Sequence, residues 1–213
     1  MKIAIALLAA AGSIASADVV INEVLGSTSG ADNEFIELYN TGGSAQSLAG
    51  WTIELWDSDA GSQFGGVDGG TPYALGGSIA AGGHWTIANM GAQSLYGFTA
   101  DINQEISIEN SSYTMVLRDD LANIINTIFV TDGGAGDAAN IAGTFITPDL
   151  TFGPDGTFLP AGFYRVGDGS NTLGLLEFGQ PSASATPGAA NIPAPAALAV
   201  LGMGGLVAGR RRR

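Results

Sequence analysis

Cysteine is absent from this sequence of 213 residues, and histidine and lysine occur once each, as His84 and Lys2. The chain therefore forms no disulfide bond, and thiol chemistry is excluded throughout. Schiff-base chemistry needs a lysine, so it is excluded at every position other than Lys2. A Ser-His-Asp triad would have to use His84 as its base, and we interpret this residue instead as a solvent-facing turn histidine. Stability has to come from a hydrophobic core and from hydrogen-bonded sheets.

Positive charge is also scarce in the middle of the chain. Of the seven basic residues, five lie at the ends as Lys2 and Arg210–Arg213, and only Arg118 and Arg165 lie between them. All 20 acidic residues belong to this middle part, which gives it a net charge near −18. Such a surface repels phosphate backbones, so we predict no nucleic-acid partner. It suits cations and basic partners.

The N-terminal end has the features of a secretory signal peptide. Lys2 precedes an apolar run from Ile3 to Ala11, and small residues occupy Ala15 to Ala17. This order is typical of a signal peptide cleaved after Ala17. The apolar run is too short to cross the roughly 30 Å hydrocarbon core of a bilayer. We therefore predict that residues 1–17 form a signal helix and that the chain is exported.

The C-terminal end has the composition of a membrane anchor. Pro193 and Pro195 precede an uncharged run over residues 196–209. With the residues just before it, this run is barely long enough for a membrane-spanning helix. By the positive-inside rule, the final arginines place the tail in the cytoplasm and the body outside. We predict a linker over 180–195 and a membrane helix with an arginine tail over 196–213. The arginines of the tail are Arg210, Arg211, Arg212 and Arg213.

Between the ends, the sequence is typical of a β-protein. Short segments rich in β-branched and aromatic residues alternate with clusters of Gly, Asn, Asp and Ser. No sustained helical repeat occurs there, so we predict an antiparallel β-sandwich or barrel over residues 18–179, with an insertion around 132–161. The predicted strands are Val19–Val24, Glu34–Asn40, Gly50–Trp56, His84–Asn89, Glu105–Ile108, Tyr113–Asp119, Ile124–Val130 and Phe163–Gly167.

Alternation within these segments predicts which side chains enter the core. Because successive residues of a strand point to opposite faces, Trp51, Ile53 and Leu55 share one face. We assign this face to the core, and the opposite face carries Glu54 and Trp56. Trp85 and Ile87 are assigned to the core in the same way.

Several stretches follow one another in a characteristic order. They are VVINEV, NEFIELYNTGG, SLAGWTIE, IAAGGHWTIAN, MVLRDDLANIINTIFV, RVGDGSNT and SATPGAAN. In this order they resemble the lamin-tail domain family over most of residues 18–191, with extra length between Thr131 and Phe163. The resemblance implies an immunoglobulin-like β-sandwich, found in nuclear lamins and in secreted bacterial proteins. In bacteria it implies an accessory or cell-surface module rather than an enzyme.

The C-terminal end carries a second resemblance. Pro193-Ala194-Pro195, the apolar run and the terminal arginines are similar to the PEP-CTERM sorting signal of bacterial exopolysaccharide-associated proteins. That signal has a glutamate where Ala194 stands here. The resemblance implies a bacterial source and processing by an exosortase-type membrane enzyme. It also implies extracellular polysaccharide or surface proteins as partners.

Carboxylates in two loops provide the best candidate for a binding site. Asp57 and Asp59 follow one predicted strand, and Asp132 and Asp137 follow another. Calcium takes about six to eight oxygen ligands from such loops, although no stretch has EF-hand spacing. Trp56 lies beside them on the non-core face and offers a ring that can stack on a sugar. These five residues are the predicted binding residues, with calcium as the only candidate cofactor.

We therefore predict a non-catalytic module of the cell surface or extracellular matrix, exported and anchored or sorted through its C-terminus. Calcium-dependent binding of carbohydrate or protein is the alternative. A second alternative is a carboxylate-based hydrolase that uses Glu34 with Glu37, or Glu37 with Glu54. We interpret these glutamates instead as acceptors of hydrogen bonds from turn or strand N–H groups.

Overall fold

The computed structural model of the chain describes residues 18–26, 33–59, 72–152, 162–176 and 184–191. The predicted signal helix over 1–17 and the predicted membrane helix over 196–209 lie outside these residues. Within the described ranges, no helix combines the length and the hydropathy that a membrane crossing needs.

Short strands dominate the described part of the chain, and one short helix interrupts them, so the prediction of an all-β fold is confirmed. In chain order the elements are β1 (Val19–Leu25), β2 (Phe35–Asn40), β3 (Gln46–Ser47), β4 (Thr52–Asp57), β5 (Tyr73–Ala74), β6 (Ser78–Ile79), β7 (His84–Ala88), α1 (Met90–Tyr96), β8 (Ile102–Asn103), β9 (Tyr113–Arg118), β10 (Ile124–Thr131), β11 (Ala139–Ile141), β12 (Thr144–Ile146), β13 (Leu150–Thr151), β14 (Gly162–Arg165) and β15 (Leu173–Leu176).

Two sheets make up most of the fold. The six-stranded sheet has the order β15-β14-β1-β2-β7-β8, and the five-stranded sheet has the order β13-β10-β9-β4-β5. Neighbouring strands are antiparallel except in the pairs β7–β8 and β10–β13, which are parallel. Because β1 pairs with both β2 and β14, a late part of the chain returns to its first strand.

The main core lies between the two sheets. Trp51, Ile53 and Leu55 enter it from the five-stranded sheet, and Trp85 and Ile87 enter it from the six-stranded sheet, as predicted. Burying one aliphatic side chain of this kind contributes about 1.5–3 kcal/mol. Other members of the same core are Ile21, Val24, Ile36, Leu38, Met115, Leu117, Ile128, Val130 and Phe163.

Helix α1 covers part of the other face of the six-stranded sheet. Its Ala92 is buried in a smaller apolar cluster with Leu25 and Phe35. Asn89 caps the start of the helix, since its Oδ1 accepts a hydrogen bond of 2.8 Å from Ala92 N. Gly97 ends it in the left-handed region, with φ of 71°. This helix is not predicted from the sequence, because its seven residues are too few for a recognisable helical repeat.

One predicted strand is not formed. The segment Glu105–Ile108 is irregular, although its Ile106 and Ile108 both enter the core. A carboxylate takes the place of a neighbouring strand, because Ile108 N donates to Glu34 Oε2 over 2.9 Å. The apolar pattern was therefore interpreted correctly for burial and wrongly for secondary structure.

The predicted insertion around 132–161 is described as far as residue 152. It contains the hairpin β11–β12 and the strand β13, which pairs with β10. Ala139 and Ile141 of the hairpin are buried. Strand β13 of the insertion therefore extends the five-stranded sheet, and the hairpin buries part of its apolar surface.

Gly162 gives a direct test of the pairing between β14 and β1. A Cβ added at this position would lie 2.0 Å from Val24 O and 3.0 Å from Leu25 Cα. Both are backbone atoms of the paired strand and cannot move aside cheaply. We expect Gly162→Ala to lower the free energy of unfolding by about 1–3 kcal/mol, as overpacked positions do. Urea unfolding of the full chain measures the change.

Gly76→Ala is the matched control, because an added Cβ there meets no atom within 4 Å. We expect this variant to stay within about 0.5 kcal/mol of the wild type. Equal losses for the two variants would contradict the observed register of β1 and β14.

Candidate functional site

Three strand ends bring the predicted carboxylates to one end of the five-stranded sheet. Asp57, at the end of β4, pairs with Tyr113 at the start of β9. Tyr113 in turn pairs with Val130 near the end of β10. The loops that follow β4 and β10 therefore leave the same end of the sheet, on either side of the start of β9. We call Asp57, Asp59, Asp132 and Asp137 the loop carboxylates.

Hydroxyl and backbone donors hold two of these carboxylates. Ser112 Oγ donates to Asp137 Oδ2 over 2.6 Å and lies 3.4 Å from Asp132 Oδ1. Thr131 Oγ1 donates to the same Asp137 oxygen, and Gly134 N donates to it over 3.0 Å. The loop after β10 is thereby fixed against the start of β9.

Charge repulsion acts within this group. The pKa of Asp59 lies above its ordinary value because the carboxyl loses some solvent and because Asp137, Asp132 and Asp57 repel it. A hydrogen bond from Ser111 opposes the shift. Among the described residues, no three side chains of His, Cys, Asp or Glu converge in an arrangement that could hold a metal ion. The structure thus gathers the loop carboxylates without forming a preassembled metal centre.

Trp56 does not join the loop carboxylates. Neighbouring residues of a strand point to opposite faces, so its ring and the Asp57 side chain diverge. The Trp56 Nε1–H donates to Glu54 Oε2 over 3.2 Å, and Glu54 Oε1 accepts from Arg118 Nε over 2.7 Å. The half-buried ring is therefore part of a Glu54–Arg118 cluster on the outer face of β4.

The three glutamates considered for a hydrolase have separate environments. Glu34 accepts the N–H of Ile108, and Glu54 pairs with Arg118. Glu37 lies in the six-stranded sheet, whereas Glu54 lies in the five-stranded one. Glu34 and Glu37 accept hydrogen bonds from backbone N–H groups, as expected. Glu54 instead accepts hydrogen bonds from two side chains, those of Trp56 and Arg118.

A second polar group lies on the outer face of the six-stranded sheet, and the sequence analysis did not identify it. Regular alternation would put Ile21 and Glu23 on the same face of β1. A bulge at Asn22 interrupts the register between them, so Ile21 and Val24 face the core while Glu23 faces away. Glu23 then lies opposite Glu37 of β2. Both side chains are fully buried, and we call them the buried glutamate pair.

The C-terminal segment Ser184–Asn191 covers this pair. Thr186 N donates to Glu23 Oε1 over 2.9 Å, and Thr186 Oγ1 lies 3.2 Å from Glu23 Oε2. Gly188 N donates to Glu37 Oε2 over 2.6 Å. In its described part, the predicted linker is therefore hydrogen-bonded to the middle of the six-stranded sheet.

Burial raises the pKa of both members of the pair, to about 8 for Glu23 and to about 7 for Glu37. Loss of solvent is the largest cause for each. Repulsion from Asp168 adds to both shifts, and the hydrogen bonds to Thr186 and Gly188 oppose them. At neutral pH the pair therefore carries less than two full negative charges.

Asp168 extends the polar group towards the single histidine. Its Oδ1 accepts hydrogen bonds of 3.0 Å from Asn22 Nδ2 and from Asn191 N. Its Oδ2 lies 3.2 Å from His84 Nε2. The His84 side chain is only 17% exposed, and its ring centroid is 5.0 Å from that of Tyr39. The expectation of a solvent-facing turn histidine is wrong, because β2 and β7 place this ring between Asp168 and Tyr39.

The buried glutamate pair predicts an unusual pH dependence of stability. A carboxyl whose pKa is raised on folding favours the folded state fully below its unfolded pKa of 4.5, and this contribution is lost as the pH rises through about 8. Glu23→Gln keeps the shape and removes the ionisation. We expect it to raise the free energy of unfolding relative to the wild type above pH 8, with little difference near pH 4.5. Because each pKa unit is worth about 1.4 kcal/mol, the gain is on the order of several kcal/mol.

Urea unfolding of the full chain across this pH range makes the measurement. Glu109→Gln removes one carboxylate at an exposed position and controls for the change in net charge. A pH profile of Glu23→Gln parallel to that of Glu109→Gln would contradict a buried, proton-holding Glu23.

Comparison with known proteins agrees with this architecture. The family model described as Lamin Tail Domain matches residues 13–133, rather more than half of the chain. No curated protein matches the sequence. The matched range covers β1 to β10, which supply most of both sheets and the buried glutamate pair. This family is a non-enzymatic, immunoglobulin-like β-sandwich module. The chain therefore belongs to the lamin tail domain family.

Proposed function

We propose that the chain is a non-catalytic module presented outside the cytoplasm, in the envelope or the surrounding matrix, and held or sorted there through its C-terminal end. Its partners are extracellular polysaccharide or neighbouring surface proteins. An exosortase-type enzyme processes the tail.

The observation that carries this proposal is the attachment of Ser184–Asn191 to the buried glutamate pair. The hydrogen bonds from Thr186 and Gly188 join this segment to β1 and β2, two central strands of the sheet. The sequence then continues into Pro193, Pro195 and the apolar run. A force on the tail would therefore reach the centre of the six-stranded sheet. Such an attachment suits a domain displayed from a membrane.

The composition of the two ends supports the same route. Residues 1–17 have the order of charged, apolar and small residues that signal peptidase requires. The run over 196–209 and the four arginines after it favour a membrane helix with its tail in the cytoplasm. An acidic body with a net charge near −18 is soluble outside the cell and repels other copies of itself.

Fractionation of a bacterial host with an outer envelope tests export. We expect the full chain to mature to a protein that begins at Asp18 and is found outside the cytoplasm. Ala17→Arg blocks the cleavage site and should leave Met1 in place, whereas Ser13→Ala should mature normally. Mass spectrometry identifies both termini. Wild-type protein that keeps Met1 and stays in the cytoplasm would contradict the proposal.

The role of the tail has its own test. Replacing the four terminal arginines by serine should release the body from the membrane fraction or invert its orientation, because the charge that fixes the tail inside is lost. Wild-type protein that is released to the medium with Arg213 intact would contradict processing of the tail. Wild type and variant with equal membrane content and the same orientation would contradict anchoring through it.

Calcium-dependent binding at the loop carboxylates is the second candidate function. The observation that favours it is the gathering of Asp57, Asp59, Asp132 and Asp137 at one end of the sheet. Lost solvation and repulsion from the other carboxylates both raise the pKa of Asp59, and a divalent cation relieves the repulsion. Asp59 is exposed, so ligands from a partner could complete the coordination shell.

Thermal unfolding with and without millimolar calcium tests this candidate. We expect calcium to raise the melting temperature of the wild type, because a ligand that binds only the folded state stabilises it. Asp59→Asn should reduce the shift, while Asp120→Asn, at an exposed position of a hairpin turn, should leave it unchanged. No shift in the wild type would remove calcium from the proposed function.

A further inference from the structure

A half-open cavity of about 210 Å³ lies where the edges of the two sheets meet. Its walls come from β10 of the five-stranded sheet, from β14 and β15 of the six-stranded sheet, and from the loop before β13. Pockets for drug-sized ligands are larger, at roughly 300–1,000 Å³, so this cavity fits one small ring. Its lining includes Asn126, Thr127, Asp149, Arg165, Asn171 and Leu173.

Arg165 provides a fixed cation in this cavity. The residue is only 4% exposed. Its Nε donates to Ile21 O over 2.8 Å, its Nη1 donates to Ser170 O, and its Nη2 lies 3.4 Å from Asn126 Oδ1. A guanidinium has five N–H donors, so two remain without an acceptor among the described residues. The backbone bonds hold the group in one orientation.

This cation has no close carboxylate partner in the described part of the chain. Arg118, the other described arginine, forms an ion pair of 2.7 Å with Glu54. No such pair is formed by Arg165 with a described carboxylate, although Asp149 acts on it from a greater distance and raises its pKa against the effect of burial. A planar, preorganised guanidinium with two open N–H groups is suited to a carboxylate ligand.

The other polar side chains of the cavity are also fixed. Asp149 Oδ2 accepts the N–H of Phe129 over 2.8 Å, and Asn126 Oδ1 accepts that of Ile21 over 3.0 Å. The Nδ2 of Asn126 has no acceptor among the described residues, so its donors remain for a ligand. Asn171 lies exposed at the rim. Donors and acceptors at short spacing around a small cavity suit a ring that carries several hydroxyl groups.

We propose that this cavity binds one sugar residue that carries a carboxylate, a hexuronic acid unit of an acidic polysaccharide. The carboxylate binds Arg165, and the ring hydroxyls bind Asp149, Asn126 and Asn171. The half-open mouth leaves room for the sugar chain to continue into solvent. This inference deepens the proposed function and rests on it for the source of the sugar, outside the cytoplasm.

Binding of methyl glycosides to the purified full chain tests the proposal. We expect methyl glucuronide to bind about tenfold more tightly than methyl glucoside, because a hydrogen-bonded charge pair replaces a neutral contact. Saturation-transfer and chemical-shift NMR measure the affinity and locate the ligand. The shifted signals should belong to the cavity residues.

Asn171→Ala is the informative variant, because its side chain is exposed and makes no hydrogen bond to a described residue. We expect it to weaken glucuronide binding about three- to tenfold, as the loss of one hydrogen bond does. Asn110→Ala is the matched control at another exposed asparagine and should bind like the wild type. Arg165→Lys keeps the charge but loses the planar fork, and it should abolish the preference for glucuronide. Urea unfolding checks that this variant is folded.

Several outcomes would overturn the inference. They are equal affinity for glucuronide and glucoside, no binding of either, tighter binding of free amino acids, or chemical-shift changes away from the cavity. Because the assay uses purified protein, it separates this inference from export. An exported protein without uronide binding contradicts only the site, and a uronide-binding protein retained in the cytoplasm contradicts only the proposed location.

Discussion

The burial of Glu23 beside Glu37 is the constraint on which much of this fold depends. A buried carboxylate without compensation is costly, and a body with two arginines has few cations to offer. Instead, each glutamate side chain accepts a hydrogen bond from a backbone N–H group, that of Thr186 or Gly188. Burial also raises both pKa values, so the side chains are partly protonated at neutral pH and less charge is buried. The pair therefore requires the C-terminal segment, and the segment is held by the pair. The sandwich and the segment Ser184–Asn191 are thus joined through this pair.

The bulge at Asn22 organises both sides of β1. On the outer face, it turns Glu23 towards Glu37. On the other side, the N–H and the carbonyl of Ile21 bind Asn126 Oδ1 and Arg165 Nε, at 3.0 and 2.8 Å. A second register shift, between Ile124 and Asn126, lies in the facing part of β10. Bulges commonly redirect side chains next to binding sites. The attachment of Ser184–Asn191 and the cavity at Arg165 therefore both lie next to one of these two irregularities in the strands.

Sequence patterns predicted what depends on local alternation. Seven of the eight predicted strands coincide with β1, β2, β4, β7, β9, β10 and β14 to within about two residues, as expected where one face is buried. The polar doublet Asn22-Glu23 inside an apolar run was the available sign of the bulge. The partners of these residues could not be predicted, because Gly188 and Asp168 lie 151 and 146 positions along the chain from Glu37 and Asn22. The cavity at Arg165 could not be predicted for the same reason, because most of the other residues that line it are distant in the sequence.

A pair of apolar residues at positions 23 and 37 would avoid the cost of burying carboxyl groups, so their presence calls for a reason. Apolar side chains there would remove the acceptors of the Thr186 and Gly188 N–H groups, and each lost hydrogen bond would cost about 0.5–1.5 kcal/mol. They would also fix no register for the segment, because apolar contacts are not directional. Two acceptors on adjacent strands bind only a segment with N–H groups at the matching spacing. The two glutamates therefore lower the stability of the fold, but they attach the segment Ser184–Asn191 in one defined register.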